Sequence, residues 1–193
     1  MKITLLDRNK KMTNIWKLYF QDCADVEVVC DDFAHFMDNN EIDCVVSPAN
    51  SYGLMDGGYD LAISEWFGWD LQEKVQKYII ENFKGEQPVT TSFCIDTGVN
   101  NYKLIHTPTM RIPSDIDDPM IVYHCMRNTL ICAISNNIDR IVIPAFGGAC
   151  GGLKEQVIAS MMYRGYHQIM NPPEEISWKY ATGWKPEEDR KWM

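Results

Sequence analysis

Basic residues are in short supply in this chain: 18 lysines and arginines stand against 27 aspartates and glutamates, for a formal charge of -9. That balance argues against a sequence-independent grip on nucleic-acid phosphates or on an anionic membrane, and leaves a small-molecule ligand as the better-fitting partner. Long apolar runs are also missing. No stretch approaches the roughly 18 residues of a membrane span, and the opening MKITLLDRNKKM is too quickly charged for a secretory signal, so a cytoplasmic location is expected. Paired cysteines are absent as well. The seven cysteines are odd in number, scatter through apolar segments and never form Cys-x-x-Cys, which reads as reduced core thiols. His35, His106, His124 and His167 are too dispersed to suggest a metal site, and neither a metal nor a cofactor is expected. A Walker Gly-Lys-Ser/Thr is lacking, as is a G-x-G-x-x-G after the first strand.

What is present is enough apolar sequence, 46% of 193 residues, for one domain with a substantial core. Strands are expected at Ile3 to Leu6, Val26 to Cys30, Ile42 to Val46, Val89 to Ile95, Lys103 to His106 and Arg140 to Ile143. Helical spacing covers Thr13 to Phe20, Asp32 to Met37, Tyr59 to Phe67, Leu71 to Phe83 and Leu153 to Gln168. Asp117-Asp118-Pro119 marks a further helix start, running to about Ser135, with Val122, Met126, Leu130, Ala133 and Ile134 as its core stripe. Alternating strands and helices imply an α/β layered sheet, whose ligands sit beyond the carboxyl ends of the strands.

Two loops follow strands and precede helices: SPANSYGLMDGGYD, from Ser47 to Asp60, and PAFGGACGGL, from Pro144 to Leu153. The second carries Gly147, Gly148, Gly151 and Gly152, whose bare backbone amides at a helix start suit a phosphate or diphosphate, or simply make a tight turn. Peptide donors explain how an acidic protein holds an anion. In the first loop, Asn50 offers amide donors and a carbonyl acceptor, and Asp60 an acceptor for sugar hydroxyls. The competing readings are an Asx-turn for Asn50, a helix N-cap for Asp60 and a solvated loop acid for Asp56. Cys150 is either an activated thiol or, more in keeping with the lack of a neighbouring histidine, a small residue allowing close approach.

Ala49-Asn50-Ser51, Gly57-Gly58-Tyr59-Asp60-Leu61-Ala62-Ile63, Ile105-His106-Thr107, Tyr123 with Arg127 and Leu130, and Ile143-Pro144-Ala145 before a glycine loop together resemble the macro domain family over roughly residues 26 to 168. The resemblance implies a three-layer α/β/α fold with a mixed central sheet and a ligand that is ADP-ribose or an ADP-ribosylated molecule. It implies that Asp32 and the Phe33 backbone receive adenine, that Asn50 and Asp60 contact the distal ribose, that Ala49, Gly57 and Gly58 belong to the ligand site, and that Phe146 packs on that ribose. Gly147, Gly148, Ala149, Cys150 and Gly151 match the diphosphate loop. In hydrolase members the Asn50 and Asp60 positions orient the sugar and a water, which makes these two the catalytic candidates.

The departures bear on activity. Ser47 stands where the first asparagine of N-A-A-N is usual, Met55 and Asp56 where glycines are common, and Gly147-Gly148-Ala149 where Ser-Thr-Gly is common. Hydrolysis of an ADP-ribosyl ester, O-acetyl-ADP-ribose or ADP-ribose 1''-phosphate, and a reader role without turnover, both stay open. Residues 1 to 170 are expected to form one macro-like domain. Residues 171 to 193, with Trp178, Trp184 and Trp192, are expected to pack back on it, with tail-mediated self-association as the other possibility.

Overall fold

A computed structural model describes residues 1–183; Trp184 and Trp192 lie outside the described residues. The chain runs β1 (Lys2–Leu6), α1 (Lys10–Tyr19), β2 (Val26–Val29), α2 (Phe33–Asn39), β3 (Cys44–Ser47), α3 (Gly58–Phe67), α4 (Asp70–Phe83), β4 (Phe93–Asp96), β5 (Lys103–His106), α5 (Met120–Ser135), β6 (Arg140–Ile143), α6 (Glu155–Met170) and α7 (Trp178–Gly183). The six strands form one sheet in the order β2-β1-β6-β3-β5-β4. All neighbours are parallel except β4, which pairs antiparallel with β5 at the edge. The sheet is therefore mixed, as expected.

Strand pleating divides the core into two. Ile3, Leu5, Cys44, Val46, Ile105, Ile141 and Ile143 face α1, α5 and α6, where Trp16, Met126, Leu130 and Met162 complete one cluster. Their alternates Leu6, Val45, Leu104 and Val142 face α2, α3 and α4, meeting Phe36, Ile63, Leu71 and Val75. The central strands are buried on both faces, which is why they read as unbroken β-branched runs. This is a three-layer α/β/α sandwich.

Three expectations need correction. The strand from Val89 to Ile95 shortens to Phe93–Asp96, because Thr91 donates both its N–H and its hydroxyl back to the Pro88 carbonyl and Thr90 takes φ of 71°, closing a turn. Ile134 is 53% exposed: at about 100° per residue it lies off the stripe that Ala133 completes, and Cys125 and Thr129 fill the buried face instead. The first helix starts earlier than its apolar residues suggest, since Asn9 caps it by accepting from the N–H groups of Lys11 and Met12. Beyond α6, Ile176 and Trp178 are exposed, while Tyr180 accepts a hydrogen bond from Gln168 at 2.6 Å.

The parallel strands all end at one rim. The loops after β1, β2, β3 and β6 are brought together there by strand order alone, although they are far apart in sequence.

Candidate functional site

At that rim lies a cleft of about 510 Å³, within the size range of small-molecule sites. Its lining includes Asp32, Phe33, Ala49, Asn50, Gly57, Gly58, Asp60, Gly147, Gly148, Ala149 and Cys150. The structure thus gathers into one cavity eleven of the thirteen residues singled out in the sequence. Phe146 and Gly151 stand outside it. Phe146 is fully buried in the core cluster with Val122, Ile143 and Ile158, because the chain reverses at Gly147, whose φ is 77°, and it is Ala145 that faces the cleft. Gly151 is buried, with a Cβ at its position meeting Ile116 at 2.9 Å.

The glycine loop forms the floor beside α6. Its internal bonds run from the N–H groups of Gly151, Gly152 and Leu153 to the carbonyls of Gly148, Ala149 and Gly147. That leaves the amides of Gly147, Gly148, Ala149 and Cys150 without a protein acceptor among the described residues, and all four of these residues line the cleft. Free amides along such a turn form a concavity for an anion. Among the described residues that line the cleft, Arg8 is the one basic side chain, against six acids including Asp56 and Glu155. Glu155, at the start of α6, is offset by Lys11, 2.8 Å away, which holds its carboxyl below the usual range.

Opposite stands the loop after β3. Thr109 donates its N–H to the Ala49 carbonyl at 3.0 Å, Ser51 donates to Met110 at 3.1 Å, and the Gln87 N–H reaches Ser51 at 2.9 Å. At its far end Gln72 accepts from the Met55 N–H at 2.7 Å and Ser64 donates to the Met55 carbonyl at 2.9 Å. Gly53 makes the bend with φ of 63° and packs so closely on α4 that a Cβ would stand 2.6 Å from Val75. The loop is fixed from both sides before any ligand arrives.

Within it Asn50 does two things. It lines the cleft, and its side chain clamps the loop: Oδ1 accepts from the N–H groups of Tyr52 (3.1 Å) and Leu54 (3.3 Å), and Nδ2 donates to the Leu54 carbonyl at 2.8 Å. The Asx-type bonds are therefore real. Replacing Asn50 with Ala orphans those backbone groups at a cost of about 1–3 kcal/mol, and Asn50→Asp, which keeps both acceptor bonds, should lose less. Thermal melts of the two variants check this; an Asn50→Ala protein melting with wild type would mean the clamp contributes nothing.

Asp60 is not an N-cap. Gly57 holds that position for α3, and Asp60, 8% exposed, instead receives the Ser47 hydroxyl on Oδ1 at 2.7 Å. Burial pushes its carboxyl up to about 7, the Ser47 bond opposing this. A carboxyl that titrates near neutrality in a cleft is the kind of group that performs acid–base work. Asp56 is exposed and lines the same cavity.

At the other end, Asp32 caps α2 by accepting from the Ala34 N–H at 3.0 Å, and its own N–H is held by Asp31. The Phe33 ring meets Tyr59 edge-on at 5.2 Å. Sequence reasoning missed Asp7, Arg8 and Asn9, which enter the cleft because β1 lies beside β6. The signal available was their place immediately after a strand.

The sequence pattern of the Macro domain matches residues 46–162. The chain belongs to the macro domain family. An uncharacterized protein of Aquifex aeolicus (strain VF5) is 31% identical over 123 residues, 63% of this chain and 71% of that one. A variant of the Oceanobacillus iheyensis macrodomain solved with ADPR superposes with a TM-score of 0.61 at 18% identity, covering 72% of this chain and 76% of that one. The macrodomain of Mycobacterium tuberculosis DarG gives 0.58 at 18%, covering 68% and 85%. At such identities these two structures speak for the fold. As a macro domain, the chain places its cleft at the rim where β1, β2, β3 and β6 end. Among the described residues no helix is long and apolar enough to cross a membrane.

Proposed function

We propose that this cleft binds ADP-ribose or an ADP-ribosylated molecule and hydrolyses a group linked to its distal ribose. The observation that carries the reading is the row of four amides from Gly147 to Cys150, without an acceptor among the described residues, in one cleft with Asp60 on the first turn of α3. The amides suit a diphosphate, Asp32 and the Phe33 backbone an adenine edge, and Asp60 a ribose hydroxyl or a water at the anomeric carbon. The Oceanobacillus iheyensis macrodomain, which shares the fold, has been solved with ADP, and a variant of it with ADPR.

Cleavage at the anomeric carbon develops positive charge on the sugar. An ionised Asp60 beside it, together with the ligand's own diphosphate, stabilises that charge and orients the attacking water. The second reading is a reader that binds without turnover. It is favoured by the commitment of Asn50 to its own loop, which leaves that amide fewer free groups for a substrate.

Calorimetric titration with ADP-ribose, with AMP and NAD as controls, tests binding, and absence of heat at high micromolar ADP-ribose would remove it. Incubation with mono-ADP-ribosylated protein then separates hydrolase from reader: release is expected, and stoichiometric binding without release would leave the reader.

A further inference from the structure

Position 47 departs from the asparagine common in this family, and the structure gives the serine there something to do. Ser47 ends β3, fully buried, and its hydroxyl donates to Oδ1 of Asp60 across 13 residues of sequence. No hydrogen bond from another described residue reaches the second carboxylate oxygen, and Asp60 lines the cleft. We propose that Ser47 is the positioning residue for Asp60: its hydroxyl pins one carboxylate oxygen to the end of β3 and leaves the other to the cleft. What that free oxygen meets rests on the ADP-ribose reading; the pinning itself does not.

The physical argument is one of constraint. A carboxylate on the first turn of α3 can rotate about two side-chain torsions, and among the described residues the Ser47 hydroxyl is the one side-chain donor that holds it. β3 is central in the sheet, with β6 and β5 on its sides, so the Ser47 hydroxyl is fixed to a strand that is hydrogen-bonded along both edges. A group held by a rigid strand presents its reactive oxygen with less freedom than one held by a loop. The same bond favours the ionised carboxyl against burial, and those are the two influences on it. Asp56 and Tyr59 adjoin Asp60 on its own segment, while Asp7, Arg8, Asp31, Asp32 and Glu155 line the cleft from the ends of β1 and β2 and the start of α6; burial and the Ser47 bond outweigh their charges at Asp60.

The test uses Ser47→Ala, which removes only a hydroxyl, and Ser47→Thr, which restores one. Carbon-13 NMR of the Asp60 carboxyl, assigned by its loss in Asp60→Asn, is followed through pH in the full chain without ligand. In Ser47→Ala the midpoint is expected to rise by about half to one unit, since the bond that favours the charged form is gone, and Ser47→Thr should return it toward wild type. A midpoint unchanged in Ser47→Ala overturns the proposal. Titration with ADP-ribose at pH 8 is the second measurement, with an expected several-fold loss of affinity in Ser47→Ala. If wild type itself fails to bind ADP-ribose, the functional reading falls while the carboxyl titration still decides the role of Ser47.

Discussion

Replacing Asp60 with Asn should make this protein more stable at pH 8 and, under the proposed function, inactive. The carboxyl is buried and its midpoint in the folded protein is about 7, against an ordinary value of 3.8. A raised carboxyl contributes stability only while it is protonated, so that contribution is present below about pH 4 and is lost as pH rises through 7. Above neutrality the folded chain carries a buried negative charge that the unfolded chain carries in water. About three pH units at about 1.4 kcal/mol each set an upper limit near 4 kcal/mol, and a gain of about 2–4 kcal/mol at pH 8 is expected for Asp60→Asn. In a chain of this size that raises Tm by roughly 5–10 °C.

The gain should shrink steadily toward pH 4, and a melt series from pH 4 to 8 measures it. His106 works in the opposite sense. Burial among Phe93 and Gln87 pushes its imidazole down to about 3, so its contribution is present above the ordinary histidine value of 6.5 and fades as pH falls toward 3. Wild-type stability therefore sums two opposing trends between pH 4 and 7. The difference between Asp60→Asn and wild type removes the His106 part, which is common to both. Release of ADP-ribose from modified protein should meanwhile fall by two orders of magnitude or so, the range attributed to a positioned acid–base group. An Asp60→Asn protein that melts at or below wild type at pH 8 would show that the carboxyl is hydrated in the folded state. Stability bought by removing a strained functional group is a common exchange in enzymes.

The parts of the fold legible in the sequence were those where local and global demands agree. Lys103–His106 and Arg140–Ile143 coincide with their expected limits, because each carries a compact apolar core, Leu104-Ile105 and Ile141-Val142-Ile143, that a strand buried on both faces requires. Val89 to Ser92 misled for the converse reason: the residues suit a strand, but Pro88 and the backbone bonds of Thr90 and Thr91 make a turn that no alternation pattern reveals. In the site, the glycines and the Asn50 loop were visible as chemistry. The neighbours of that chemistry were not. Asp7, Arg8 and Asn9 reach the cleft through the pairing of β1 with β6, a contact between residues nearly 140 apart, as Lys2 opposite Arg140 shows. Phe146 illustrates the same gap at short range. Its place in the motif suggested a ribose contact, whereas the left-handed turn at Gly147 sends its ring into the core.

Gly148 offers the second large effect, because at this position folding and binding come apart. Its φ of -69° is one that any L-residue adopts. A Cβ there would meet Ala145 at 3.7 Å and Ile158 at 3.9 Å, ordinary contact distances. Neither strain nor overlap in the resting protein therefore opposes a side chain. Gly147 is different: with φ of 77° and three side chains between 3.0 and 3.2 Å, a substitution there would disturb the fold itself. Ala145 and Ile158 both line the cleft, so the branches of Gly148→Val would occupy the space in front of the free amides of Gly148 and Ala149. Affinity for ADP-ribose is expected to fall about 100-fold, which corresponds to roughly 2.7 kcal/mol, with Tm within a few degrees of wild type. AMP, which lacks the second phosphate, should lose less. Calorimetry with both ligands alongside a melt checks this: unchanged ADP-ribose affinity in a folded Gly148→Val protein would remove the diphosphate from this loop, whereas a collapse in Tm would make the glycine a requirement of the turn.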